Sequence, residues 1–205
     1  MARDAYISRN EAATLSGVSS SVVNKAIEQK AVRVKRASAG PLVDARDVGV
    51  LCIFGELRFG LPVGVKRRLA GWLRDAEEGA ELPLAASLVV RKDAALGELI
   101  DRALRYVELR DRFMEVNPDR QGGEPVIRGT RISIRGLAKQ IEAGEDADVL
   151  REEYDHLDPD AFEFAVLWAR ANPRRGRPVR DAVSSTNAPP RRAELLARRR
   201  QVPAR

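Results

Sequence analysis

Apolar residues recur at helical spacing through the first third of the chain, interrupted at short intervals by residues that stop helices. In "YISRNEAATLSGVSSSVVNKAIEQKAV" (6–32), Ser8 and Glu11 form the S-x-x-E pair of a capped helix start, predicting a short helix through Leu15. Ser16-Gly17 ends it, because glycine accepts the left-handed conformation of a helix stop. Ser19 caps a second helix to about Gln29. Ala12, Leu15, Val18, Val22, Val23 and Ile27 form an apolar seam between the two, leaving Ser20, Ser21, Asn24 and Lys25 outside. "VRVKR" (32–36), the turn "ASAGP" and "LV" predict a two-stranded wing. Asp44 and Asp47 open a third helix with Val48, Leu51, Phe54 and Leu57 inward. "PVGVKRRLAGWLRDA" (62–76) is a fourth, with Val65, Leu69, Trp72 and Leu73 inward and Lys66, Arg67 and Arg68 on a solvated face.

"EEGAELPLA" (77–85) breaks this pattern and marks a domain boundary, after which "LAASLVV" (84–90) alternates weakly as a strand. Leu96, Leu99, Ile100, Ala103, Leu104 and Val107 make 96–114 an amphipathic helix. "GGEPVIRGTRISI" (122–134) then predicts a β-hairpin, with Gly129-Thr130 as a two-residue type II′ loop. In that register Ile127 faces Ile132 and Arg128 faces Arg131. Like charges so placed call for carboxylates, either internal (Glu145, Asp146, Asp148, Glu152 or Glu153) or a partner's. Gly122, Gly123 and Gly129 serve backbone geometry. Three further helices follow over 134–144, 146–154 and 158–173, the last with Asp158 as cap and Pro159 at its first position. The fold class is therefore mainly α: a winged helix-turn-helix over 1–76, a trihelical domain with a small β-hairpin over 84–172, and a tail over 173–205.

Charge changes this picture by dividing it. Residues 1–75 carry a net +6, 76–172 a net −8 and 173–205 a net +8, within a total of +6. A basic front suits a polyanion such as DNA, with Ser20, Ser21, Asn24 and Lys25 on the second helix and Lys35 and Arg36 on the wing as contacts. A helical pair that only packs is the alternative. The acidic middle suits protein contacts, since DNA affinity rests on neutralising phosphates. The proline-containing, arginine-rich tail is too polar to fold alone. No long apolar run or leader segment is present, so the chain reads as cytoplasmic with no membrane partner. Cys52 and His156, each the single residue of its kind, leave no catalytic site, metal site or cofactor to assign.

Two resemblances sharpen this. Residues 6–57 look like a winged helix of the MerR type, on "A-x-x-S-G-V-S"-like spacing, a basic hairpin and "D-x-x-D-V". "NPDRQGGEPVIRGTRISI" and the trihelical segment after it resemble the family called domain of unknown function 433, over about residues 113–172. "EYDHL" departs from that pattern, where many relatives have a proline before the leucine pair. The resemblance implies a VapB-type antitoxin of a toxin–antitoxin pair, whose partner is a PIN-domain ribonuclease toxin. It would act as a homodimer within a hetero-oligomeric complex and repress its own operator DNA. Such a ribonuclease gathers carboxylates around a divalent cation. Guanidinium groups of Arg174, Arg175, Arg177 and Arg180, or of Arg198, Arg199 and Arg200 anchored by Leu195 and Leu196, would then plug that pocket. A tail that binds nucleic acid non-specifically is the competing reading. A free-standing MerR-like regulator is the alternative for the whole chain.

Overall fold

Ser8 starts the first helix as its spacing to Glu11 requires. Its Oγ accepts from Glu11 N at 3.3 Å, and Glu11 Oε2 accepts from Ser8 N at 2.6 Å. The structure, a computed structural model, describes residues 5–38, 40–57, 60–117, 121–144 and 147–173, all within one compact unit. Helix α1 (Arg9–Ser16) stops at Gly17, whose φ of 70° is left-handed. Helix α2 (Ser20–Glu28) follows, with Ser19 at its N-cap in extended conformation. The Ser19 hydroxyl does not cap the helix backbone; it bonds the Ser21 hydroxyl at 2.7 Å instead. The wing is β2 (Val34–Ala37) paired antiparallel with β3 (Gly40–Asp44), and β1 (Tyr6–Ile7) adds to the other edge of β3. Asp44 caps a short 3-10 turn that leads into α3 (Val48–Glu56).

After α4 (Val63–Asp75) the chain forms a two-stranded hairpin, β4 (Glu81–Ala85) and β5 (Leu88–Arg91), in place of the single strand expected over 84–90. Pro83 lies within β4. In a two-stranded ribbon both strands are edges, so its missing N–H costs little, and the register shifts beside it. Helix α5 (Ala94–Phe113) is the longest element among the described residues. Strand β6 (Met114–Glu115) pairs with β7 (Val126–Ile127), and α6 (Ile134–Glu142), α7 (Ala147–Glu153) and α8 (Pro159–Ala171) complete the mainly helical fold. Asp158 Oδ1 accepts from Asp160 N at 2.9 Å, with Pro159 in the first turn, as its position implied.

The segment 77–85, expected to mark a domain boundary, lies inside this unit. Ile7, Ala12, Val48 and Leu51 from the front bury into the same core as Tyr106, Leu109 and Phe164 from the middle. The reason is size. Helices of 8 and 9 residues cannot enclose a core on their own, and α5 and α8 supply the missing apolar surface. The approach is close enough that a Cβ on Gly49 of α3 would stand 3.1 Å from Ile100 Cδ1 of α5.

Candidate nucleic-acid interface

Helix α2 turns Val23 and Ala26 into the core, which leaves Ser20, Ser21 and Lys25 exposed and Asn24 half-buried. Asn24 Oδ1 accepts from Arg9 Nη1 at 3.4 Å, so its amide nitrogen remains a donor. Every residue of β2 is exposed, Lys35 and Arg36 included. Lys35 also lies over the Tyr6 ring, 5.6 Å from its centroid. A groove between the end of α2 and the wing is lined by Lys30 and Arg36 with Ile27, Val32 and Val34. The six residues read from sequence thus lie on one helix and one strand, and of them Arg36 lines this groove.

Other front cations are turned inward. Arg74 of α4 forks onto Asp47 at 2.9 and 3.1 Å, and Asp47 also accepts from Arg33 N at 2.6 Å. Asp47 is 1% exposed, and burial pushes its carboxyl above the ordinary range despite Arg74. Its role is therefore an internal anchor, not the side-chain helix cap expected of it. Lys66 donates to Gln29 Oε1 at 2.8 Å and Arg67 to Gln29 O at 3.0 Å, tying α4 to the end of α2, while Arg68 donates to Pro83 O at 2.8 Å. These three are not simply solvated: they staple α4 to its neighbours.

Glu11 does more than close a capping box. It is buried, accepts from the Tyr106 hydroxyl at 2.6 Å, and lies 3.5 Å from Arg110, which in turn donates to Tyr6 O at 2.9 Å. The helix-turn-helix is held to α5 by this network. Nothing in the sequence signals a pairing across 95 positions, because only the fold brings the two helices together.

The hairpin keeps its register and changes its turn. Ile127 N donates to Ile132 O at 2.9 Å and Val126 bridges Ser133, as expected. The tight turn is one residue earlier than the type II′ loop, with Thr130 N donating to Ile127 O at 3.0 Å and Gly129 at its third position, φ 76°. Arg128 and Arg131 are consequently loop residues. Arg128 takes main-chain acceptors where carboxylates were expected: Arg112 O and Asp111 O at 3.0 Å and Met114 O at 2.9 Å. Those are the end carbonyls of α5, where a cation is favoured by the helix dipole and by orphan acceptors. Gly122 and Gly123 both have positive φ, 64° and 78°, consistent with a backbone role.

This segment has relatives. Residues 114–169 match the model of a family described as "Protein of unknown function (DUF433)". A protein of Sinorhizobium fredii described as "Uncharacterized protein y4eO" is 39% identical over 61 residues, which is 30% of this chain and 28% of that protein. The chain therefore spans under a third of that relative's length. No solved structure matches the chain. The matched segment carries its own ion pairs to α5: Asp158 takes Arg112 and Asp160 takes Arg105, both at 2.6 Å. Residues Glu145 and Asp146, and the tail positions Arg174, Arg175, Arg177, Arg180, Leu195, Leu196, Arg198, Arg199 and Arg200, lie outside the described residues. His156 is exposed beside Asp155, and Cys52 sits half-buried beside Glu56 with its thiol pushed up by burial and then by that charge. Among the described residues no helix is long and apolar enough to cross a membrane.

Proposed function

We propose that the chain is a cytoplasmic, non-catalytic antitoxin of a type II toxin–antitoxin module, which binds its own operator through the winged helix-turn-helix. The observation that supports DNA binding is a division among the front cations. Arg46 and Arg74 pair with the buried carboxylates of Asp44 and Asp47, whereas the side chains of Lys25, Lys35 and Arg36 are exposed, Lys25 on the same helix as Ser20, Ser21 and Asn24. Cations on a helix and a wing can track phosphates while short polar side chains reach base edges. The test is binding to DNA from upstream of the gene at several salt concentrations. Lys25→Ala, Lys35→Ala and Arg36→Ala should each lower the salt slope by about 1. A slope unchanged in the triple variant would remove this surface from the account.

The toxin half of the proposal rests on the DUF433 segment and on the +8 tail. Its partner would be a PIN-domain ribonuclease, whose carboxylate cluster the tail guanidiniums complement. Co-expression with a ribonuclease encoded beside the gene should restore growth, and deletion of 174–205 should abolish the rescue. A second reading, a free-standing regulator of MerR-like type, draws support from the core shared by the helix-turn-helix and the middle helices. Under that reading operator binding persists and no adjacent toxin is neutralised.

A further inference from the structure

A cleft of about 230 Å³ opens between α2, α3 and the start of α4. Its walls are Val22, Phe54, Leu57 and Leu61, and two cationic side chains, Lys25 and Lys66, line it as well. Lys66 Nζ lies 5.3 Å from the Phe54 ring centroid and donates to Gln29 Oε1 at 2.8 Å. An ammonium has three donors, so two remain for another acceptor. Elsewhere in the front of the chain, half-buried arginines are matched to acids, as Arg74 is to Asp47 and Arg46 to Asp44. Among the described residues neither Lys25 nor Lys66 has such a carboxylate. Burial, and then the charge of Lys25, lower the affinity of Lys66 for its proton. Two ammonium groups close enough to repel, one partly desolvated and both beside apolar walls, make a site suited to an anion.

We propose that this cleft binds a small amphipathic monocarboxylate, with its apolar body against Phe54, Leu57 and Leu61 and its carboxylate between Lys25 and Lys66. The walls disfavour a bare inorganic anion, which would desolvate them for no apolar gain. The volume has room for roughly eight water-sized groups, which suits a single-ring or short branched acid. Lys25 also belongs to the proposed DNA surface. On that reading a bound acid withdraws a cation from DNA and weakens operator binding; occupancy of the cleft does not depend on that reading.

Titration of the full chain with benzoate, read by calorimetry and by the methyl resonances of Val22, Leu57 and Leu61, tests the site in the absence of DNA. Saturable binding that moves those methyls is expected, with benzyl alcohol and inorganic phosphate each at least tenfold weaker. Lys66→Gln and Lys25→Gln should each weaken benzoate at least tenfold. Leu61→Phe, which fills the cleft and retains both charges, should do the same without relying on either lysine variant. Methyls that stay still, equal binding of benzyl alcohol, or undiminished binding by Leu61→Phe would overturn the proposal. If benzoate binds as described but operator DNA does not, the DNA reading fails and the site stands.

Discussion

Replacing Tyr106 with phenylalanine isolates the link between the helix-turn-helix and the long helix. Tyr106 is fully buried, and its ring packs 6.1 Å from Phe164 between centroids, so Tyr106→Phe leaves the packing and removes only the hydroxyl. Glu11 would lose its 2.6 Å donor and retain Ser8 N at 2.6 Å and Arg110 at 3.5 Å. A hydrogen bond to a charged group contributes roughly 1.5–3 kcal/mol. For a chain of this length that lowers Tm by about 3–12 °C. The pH dependence gives a second, independent signature. Burial, and then the Glu11 charge, push the phenol far above its ordinary value, so the folded chain holds the proton when the unfolded chain releases it. Above about pH 10 the unfolded state binds fewer protons, and this group's contribution falls by about 1.4 kcal/mol per pH unit. The variant lacks that slope, so the gap between the two proteins should narrow as pH rises past 10. Chemical denaturation of both proteins from pH 7 to 11 measures it. Equal stability at neutral pH, with parallel curves to pH 11, would refute the Glu11–Tyr106 bond.

Arg74→Met should cost about 3–5 kcal/mol at neutral pH, because it strands the buried Asp47 charge. The raised Asp47 carboxyl sets the sign: the folded state favours the protonated acid, so part of the loss should be recovered as pH falls through the carboxylate range, measured by denaturation at pH 7 and pH 4. Arg128→Ala should cost roughly 1.5–3 kcal/mol through the lost cap on α5, and Arg128→Lys should recover only part, since one ammonium does not span three carbonyls. Gly129→Ala should cost about 1–2 kcal/mol purely from its φ of 76°, as an added Cβ meets nothing within 4 Å; denaturant midpoints check both. Gly55→Ala should displace the turn between α1 and α2 and weaken operator binding with the fold retained, because its Cβ would stand 2.5 Å from Val18 Cγ1; mobility shift with circular dichroism separates the two.

Local chemistry was legible in the sequence wherever the partners are near in the chain. The Ser8–Glu11 box, the left-handed stop at Gly17, the Asp158-Pro159 start of α8 and the wing all follow from residues within a few positions of one another. The hairpin register was legible too, since alternation around Gly129 sets Ile127 against Ile132. The turn inside it was not, because a glycine of positive φ serves at more than one turn position, and the backbone chose the earlier one.

The sequence by itself thus determined the helices, their stops, the outward faces of α2 and β2, and the division of charge into blocks. Only the tertiary structure decided which charges are spent inside. Asp47 and Arg74, Glu11 and Tyr106, and Arg128 with the end of α5 are separated by between 14 and 95 positions, and no local pattern couples them. Burial makes those pairings obligatory: a charge or hydroxyl removed from water must find a partner, and which partner is nearby depends on how short helices share one core.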